Sequence, residues 1–316
     1  MTVLSRRAAL GVTFAAAFFA GGLLPASAQE TVLKVGYLRT QGFIMDFPVE
    51  PVNIPGVKLE LYPFETGNDV LEAVNAGRVD VGETGEPQPI FSQNAGRLVK
   101  IIAASAPARL TSLLVKEDSP IRTVADLKGR KISFVKGTNT HWLTLKALSK
   151  AGLTQADIQP VLLSSSEALP GLLSGQVDAI GLTAPTTQIA LSRGARLLLD
   201  SEGLVNSSLY YLATPETIRT KEAALAGFVA ALSKHMAWIP GHTQERVAYL
   251  APKLGIPPNL LTEMAKILPS KLVPVGDSSL ASYQQQLANA FADQGLVKPL
   301  DVREEFDGRF DKELTR

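Results

Sequence analysis

The chain has 316 residues, of which 46% are hydrophobic and 19% charged, and its formal net charge is +1. That balance describes a folded protein with room for one large or two medium domains, and it excludes a disordered tail, a fibre or a strongly basic nucleic-acid binder. There is no cysteine, which excludes disulfides, thiolate nucleophiles, sulfur metal sites and a lipid-anchor cysteine.

Residues 1–28 carry two charged groups, Arg6 and Arg7, then an apolar run from Ala8 to Leu24 and the small-residue site Ala26-Ser27-Ala28. This layout predicts an export signal cleaved before Gln29, and Ser5-Arg6-Arg7 is compatible with a twin-arginine signal as well as with general secretion. Cleavage takes the formal charge to +1 − 2 = −1, so bulk charge draws in neither nucleic acid nor an acidic membrane.

Leu33 to Tyr37 reads as a first strand, and Arg39-Thr40-Gln41-Gly42 is the loop at its carboxyl end, where open α/β sheets bind ligands. Lys58 to Phe64 is a second strand. Asn68 is expected to cap a helix with Val70, Leu71 and Val74 on one face, stopped by Gly77. Val79-Asp80-Val81-Gly82 is a short strand followed by the polar cluster Glu83-Thr84-Gly85-Glu86-Pro87, in which Glu86 suits either pairing with an amine or a helix start.

Ser112 to Lys116 leads out of this first unit, and a helix around Val124 to Leu127 ends at Gly129. The strand-like run Lys131 to Val135 is followed by Lys136-Gly137-Thr138-Asn139-Thr140-His141 and a helical run from Trp142 to Ala151. Strand, glycine turn and helix start together make an anion cup, because first-turn amides lack intrahelical partners and the peptide dipoles add partial positive charge there. Capping by Thr138, Asn139 or Thr140 is the structural alternative. His141 in the first turn is placed to face an anion.

Ser164 and Glu167 fit a capping box. A short echo follows: Ala76-Gly77-Arg78-Val79-Asp80-Val81-Gly82 is matched by Ser174-Gly175-Gln176-Val177-Asp178-Ala179-Ile180-Gly181, suggesting two lobes of similar build. Ser208 to Ala213 is expected to cross back beside Leu113 to Val115, forming a two-segment hinge. After Thr217 no strand pattern is seen. Lys221–Ile239, Gln244–Leu254, Leu260–Leu268 and Leu280–Phe291 read as helices bracing the first lobe.

The three histidines, at 141, 235 and 242, have no ligand spacing, and no nucleophile elbow, phosphate loop or metalloprotease motif occurs. Neither a metal nor a cofactor is expected, and the chain reads as a binder rather than an enzyme.

Five runs resemble periplasmic aliphatic-sulfonate-binding proteins: Thr84 to Gly96, Val115 to Ile121, Val124 to Lys131, Lys136 to His141 and Ala151 to Thr154. The similarity spans roughly residues 33–200. It implies an α/β, two-lobe type II periplasmic binding protein fold with an inter-lobe cleft and C-terminal helices, serving an ABC importer of the sulfonate, nitrate and taurine group. The corresponding lobes would be 29–112, 113–208 and the return 209–316. By the resemblance, Thr138, Asn139, Thr140 and His141 hold the anionic end. Arg39, Gln41, Gly42, Thr84, Gly85 and Glu86 supply the opposite wall.

One departure bears on specificity. Relatives of this kind carry Asp-Ala-Trp-x-x-Trp-Asp-Pro after the second-lobe strand, whereas this chain reads Asp178-Ala179-Ile180-Gly181-Leu182-Thr183-Ala184-Pro185. Both aromatics and a carboxylate are lost, leaving Thr183 as a hydroxyl donor. The expected function is capture of a small organic anion, most simply a sulfonate or taurine-like compound, by a monomer that docks on a permease. Nitrate or aromatic-carboxylate binding, a sensor role, or an enzyme of the pyrimidine-precursor synthase type are the alternatives.

Overall fold

The computed structural model describes residues 30–314, so the export-signal reading lies outside the described residues. In chain order the elements are β1 (Thr31–Leu38), β2 (Val57–Phe64), α1 (Gly67–Asn75), β3 (Val81–Thr84), α2 (Gln88–Asn94) and β4 (Lys100–Ser105). Then come β5 (Thr111–Lys116), β6 (Lys131–Ser133), α3 (Asn139–Lys150), β7 (Gln159–Val161), α4 (Ser165–Leu173), β8 (Ala179–Thr183), α5 (Thr186–Leu191) and β9 (Ala195–Asp200). The chain ends through β10 (Tyr210–Ala213), α6 (Pro215–Trp238), α7 (Thr243–Leu254), α8 (Pro258–Ala265), β11 (Leu272–Val273) and α9 (Ser278–Asp293).

These strands form two sheets, one of order β11-β4-β10-β3-β1-β2 and one of order β7-β6-β8-β5-β9. Leaving β11 aside, the sheets are the same object built twice. In each, a central parallel pair, β1 with β3 or β6 with β8, is flanked by a parallel edge strand and by one antiparallel strand arriving from the other lobe. The sequence echo marks the repeat. Asp80 accepts the Lys34 amide at 2.8 Å and donates its own amide to the Lys34 carbonyl at 2.7 Å. Asp178 does the same with Lys131, at 2.8 Å in both directions. Each aspartate thus fixes the register of its lobe's central strand pair, which sets where the carboxyl ends of those strands fall.

Local rules explain the helices. α1 is started by Thr66 rather than Asn68, because Thr66 and Asp69 form a reciprocal capping box, and it buries Val70, Leu71, Ala73 and Val74. In α4 the Glu167 carboxylate accepts the Ser164 amide at 2.9 Å. α3 begins at Asn139, so residues 139–141 are its first turn rather than a preceding loop, and Trp142, Leu143, Leu145 and Leu148 anchor it to the second-lobe core. Full burial of each such side chain contributes roughly 1.5–3 kcal/mol.

The return strand β10 does not run beside Leu113–Val115. It lies between β3 and β4 in the first lobe, whereas β5 lies between β8 and β9 in the second. The two crossings meet just before these strands, through Ser105 N–H to Leu209 O at 2.9 Å, Ala108 N–H to Asn206 O at 2.8 Å and a Thr111–Ser207 hydroxyl contact. The C-terminal region also departs from expectation. It contains the two-residue strand β11, paired with β4. Although α6 packs on the first-lobe core, α9 shares a core with Trp142 and Leu113, and α7 and α8 share one with Met45 and Ala184. The tail therefore packs on residues of both lobes instead of bracing one of them.

Candidate ligand-binding site between the lobes

The carboxyl ends of β3 and β6 bring two of the expected turns face to face. The Glu86 amide donates to Asn139 Oδ1 across the lobes at 3.3 Å, and a Cβ on Gly85 would stand 3.0 Å from the same oxygen. A side chain at Gly85 would therefore crowd the Asn139 and Gln88 side chains.

The start of α3 is left open by its own threonines. Thr138 occupies the cap position, but its hydroxyl donates back to the Val135 carbonyl at 2.7 Å and makes no capping bond. Thr140 Oγ1 lies 2.9 Å from that hydroxyl and accepts the Val135 amide at 3.2 Å. The threonines thus shape the loop, and the first-turn amides of a twelve-residue helix remain without a side-chain cap. Thr183 is two residues beyond Gly181, on the same face of β8, and the missing side chain of Gly181 admits Thr140, whose Cβ would lie 3.0 Å from one placed there.

Three of the expected groups take other partners, Arg39 at the surface and His141 and Glu86 in the interior. Arg39 is 58% exposed and forms a 2.6 Å ion pair with Glu65. His141 is buried between Phe134 and Phe291, at ring separations of 4.5 and 5.4 Å. Its Nδ1 accepts the Gly137 amide at 3.2 Å and its Nε2 faces Gln155 Oε1 at 2.8 Å, so both nitrogens are spent. Burial also lowers its pKa and favours the neutral ring. Glu86 turns its carboxylate away from the cleft, accepting the Ser208 amide and the Tyr283 hydroxyl, each at 2.9 Å. Its backbone N–H points the other way, to Asn139 at the start of α3.

Glu83 is the residue whose role local reading misses. Fully buried, it accepts the amides of Leu38 at 3.3 Å and Phe43 at 3.0 Å and the Tyr211 hydroxyl at 3.0 Å. One carboxyl group therefore clasps both ends of the loop that carries Arg39, Gln41 and Gly42. The available signal was a glutamate directly after the strand-like run Val79 to Gly82, where a buried carboxyl group requires partners.

Burial pushes Glu83 and Glu86 up to about 7 and Glu305 to about 8. An unfolded glutamate titrates at about 4.3, so between these values the folded chain retains protons the unfolded chain has lost, and stability falls as pH rises. His235 works the other way, because burial holds it down to about 4, and its contribution is complete above the ordinary value of 6.5. Between 6.5 and about 8 the buried glutamates therefore act unopposed by it. Urea midpoints are expected to decline across that window, and Glu86→Gln with Glu305→Gln to flatten the decline. A midpoint that rises there would contradict this assignment.

Among the described residues no helix is long and apolar enough to cross a membrane. A curated relative from Escherichia coli (strain K12), named for aliphatic-sulfonate binding, is 33% identical over 285 residues, covering 88% of this chain and 89% of its own length. The crystal structure of the periplasmic aliphatic sulphonate binding protein SsuA from Escherichia coli superposes with a TM-score of 0.77 at 32% identity, over 87% of this chain and 91% of that one. The alkanesulfonate-binding protein SsuA from Xanthomonas axonopodis pv. citri, bound to MOPS, gives 0.82 at 28% identity, over 89% and 99%. The family described as NMT1/THI5 like matches residues 54–246. With its duplicated lobes and facing strand ends, the chain belongs to that family, in the company of the two-lobe SsuA-type periplasmic binding proteins.

Proposed function

We propose that this protein is the periplasmic substrate-binding component of an ABC importer and that it captures a small organic anion bearing a sulfonate group. The observation that carries the reading is the uncapped start of α3 opposite the Glu86 amide, with Asn139 between them. A sulfonate stays ionised at every physiological pH and presents three acceptor oxygens, which suits convergent N–H donors at a helix start. The amides of residues 139–141, with Thr138 and Thr140 shaping their loop, would hold the head group. Gln41, Gly42, Thr84, Gly85 and Thr183 would line the rest. Arg39, His141 and the Glu86 carboxylate stand outside this set, because each has another partner.

The relatives named for sulfonate binding support this choice of ligand class. The groups gathered here are amides and hydroxyls, which grip an anion without a base aimed at it, so binding is favoured over turnover. We take the lobes to hinge on the crossings at 106–110 and 201–209, with residues 113–208 as the moving lobe, an arrangement suited to closure on a ligand. Delivery to a permease follows from that role.

Calorimetry against alkanesulfonates, taurine, nitrate and aromatic carboxylates tests the reading. Thr138→Ala combined with Asn139→Ala is expected to weaken sulfonate binding about tenfold, by distorting the loop and removing one polar contact, while the protein stays folded. Unchanged affinity in the folded double variant, or no binding of any sulfonate by the parent, would reject the site or the ligand respectively.

A further inference from the structure

The hydroxyl of Tyr283, on α9, joins four parts of the chain. It donates to Glu86 Oε2 at 2.9 Å and accepts the Trp142 Nε1–H at 2.9 Å and the Asn206 amide at 3.0 Å. Glu86 belongs to the first lobe, Trp142 to α3 of the second, and Asn206 to the returning crossing. Together these bonds use the donor and both lone pairs of a phenol. Burial raises the Tyr283 pKa far above its ordinary value and so keeps the group a donor.

The remaining polar ties of α9 favour the first lobe. Gln284 Nε2 donates to the Glu86 carbonyl at 2.9 Å and to Glu305 at 3.0 Å, and Tyr210 OH reaches Gln284 Oε1 at 3.4 Å. Toward the second lobe α9 presents Leu287, Ala288 and Phe291 to the core that holds Trp142, with Phe291 against His141 and Trp142 and also against Phe91 of the first lobe, and the bond to Trp142. Hydrogen bonds thus tie α9 more firmly to the first lobe than to α3, where the Trp142 bond supplements apolar packing.

The arrangement also closes on itself. Asn139 and Trp142 are three residues apart on α3, one reaching the Glu86 amide directly and the other reaching the Glu86 carboxylate through Tyr283. We propose that the Trp142–Tyr283 hydrogen bond is the latch of the closed form, and that Tyr283 is a positioning residue that holds the first turn of α3 against the Thr84–Glu86 turn. This rests on the ligand-capture reading above, but its test need not.

Because the chain has no cysteine, Glu72→Cys on α1 and Lys128→Cys in the second lobe, both at well-exposed side chains, can carry a pair of spin labels. Pulsed electron resonance on the ligand-free protein then reads the inter-lobe distance. Trp142→Phe, which leaves the Tyr283–Glu86 bond in place, is expected to raise the open-to-closed ratio about fivefold, the worth of roughly one hydrogen bond. Sulfonate dissociation should speed up by about the same factor, with association changed less. Adding Trp142→Phe to Tyr283→Phe should shift the ratio no further, since Tyr283→Phe already removes the bond that Trp142→Phe removes.

If Trp142→Phe lowers the melting temperature but leaves the distance distribution unchanged, the latch is overturned. Additive effects of the two substitutions would overturn it as well. Should Trp142→Phe fail to fold, Tyr283→Phe alone is read by the same distances. A shifted distribution in a protein that binds no sulfonate would keep the latch and reject the ligand assignment.

Discussion

Gly42→Ala is expected to destabilise the protein by on the order of 3 kcal/mol and to weaken ligand binding at the same time. Gly42 has φ +92°, a region in which a Cβ is strained. A Cβ there would fall within the Glu83 carboxylate. Glu83 cannot retreat without loosening its bonds to Leu38, Phe43 and Tyr211. The substitution therefore strains the backbone and undoes the clasp that shapes the loop after β1. Urea denaturation and calorimetry on one variant read both effects. A folded Gly42→Ala protein with parental stability would show that the clasp does not hold the loop.

Arg246→Met is expected to cost about 3–5 kcal/mol, the usual result of removing one partner of a buried ion pair. Arg246 and Asp46 are both fully buried, and Arg246 Nε bonds Asp46 Oδ2. Desolvation pushes Asp46 up to about 6 even with the guanidinium opposing it. Without Arg246 the carboxyl would be driven to take a proton, so the penalty is expected to be smaller at about pH 5 than at about pH 7. Asp46→Asn added to Arg246→Met should recover a large share, because it removes the stranded charge. If the single variant unfolds at the parental urea midpoint, the pair contributes little. The functional consequence is positional, since Asp46 ends the short helical turn that follows the Gln41–Gly42 loop, which is proposed to line the ligand.

Local physics accounts for what was readable in the chain. The apolar spacing of β1, α1, α6 and α9 and the Ser164–Glu167 pair are properties of neighbouring residues. The echo was legible for the same reason, since a left-handed glycine, a valine and an aspartate recur at one spacing, and they prove to be the register lock of both sheets. The sequence pattern does not single out β4, β7 or β9, and β11 has only two residues, too few for an alternating pattern to show. β10 was legible as a strand but not as a member of the first sheet, because its neighbours lie more than a hundred residues away in sequence.

For the site, the residues alone determined which turns lie at strand ends and that one helix start carries Thr138, Asn139 and Thr140. Only the tertiary structure decided which partners the polar atoms of those turns take. It sent the Glu86 amide to Asn139 and its carboxylate to Ser208, sealed His141 between two phenyl rings, left Arg39 with Glu65, and made Glu83 the clasp of a loop that begins 45 residues earlier. Strand and helix patterns repeat over a few residues and are written locally. The direction of a buried polar group is set by whichever distant donors can replace its lost water, and those are chosen by packing.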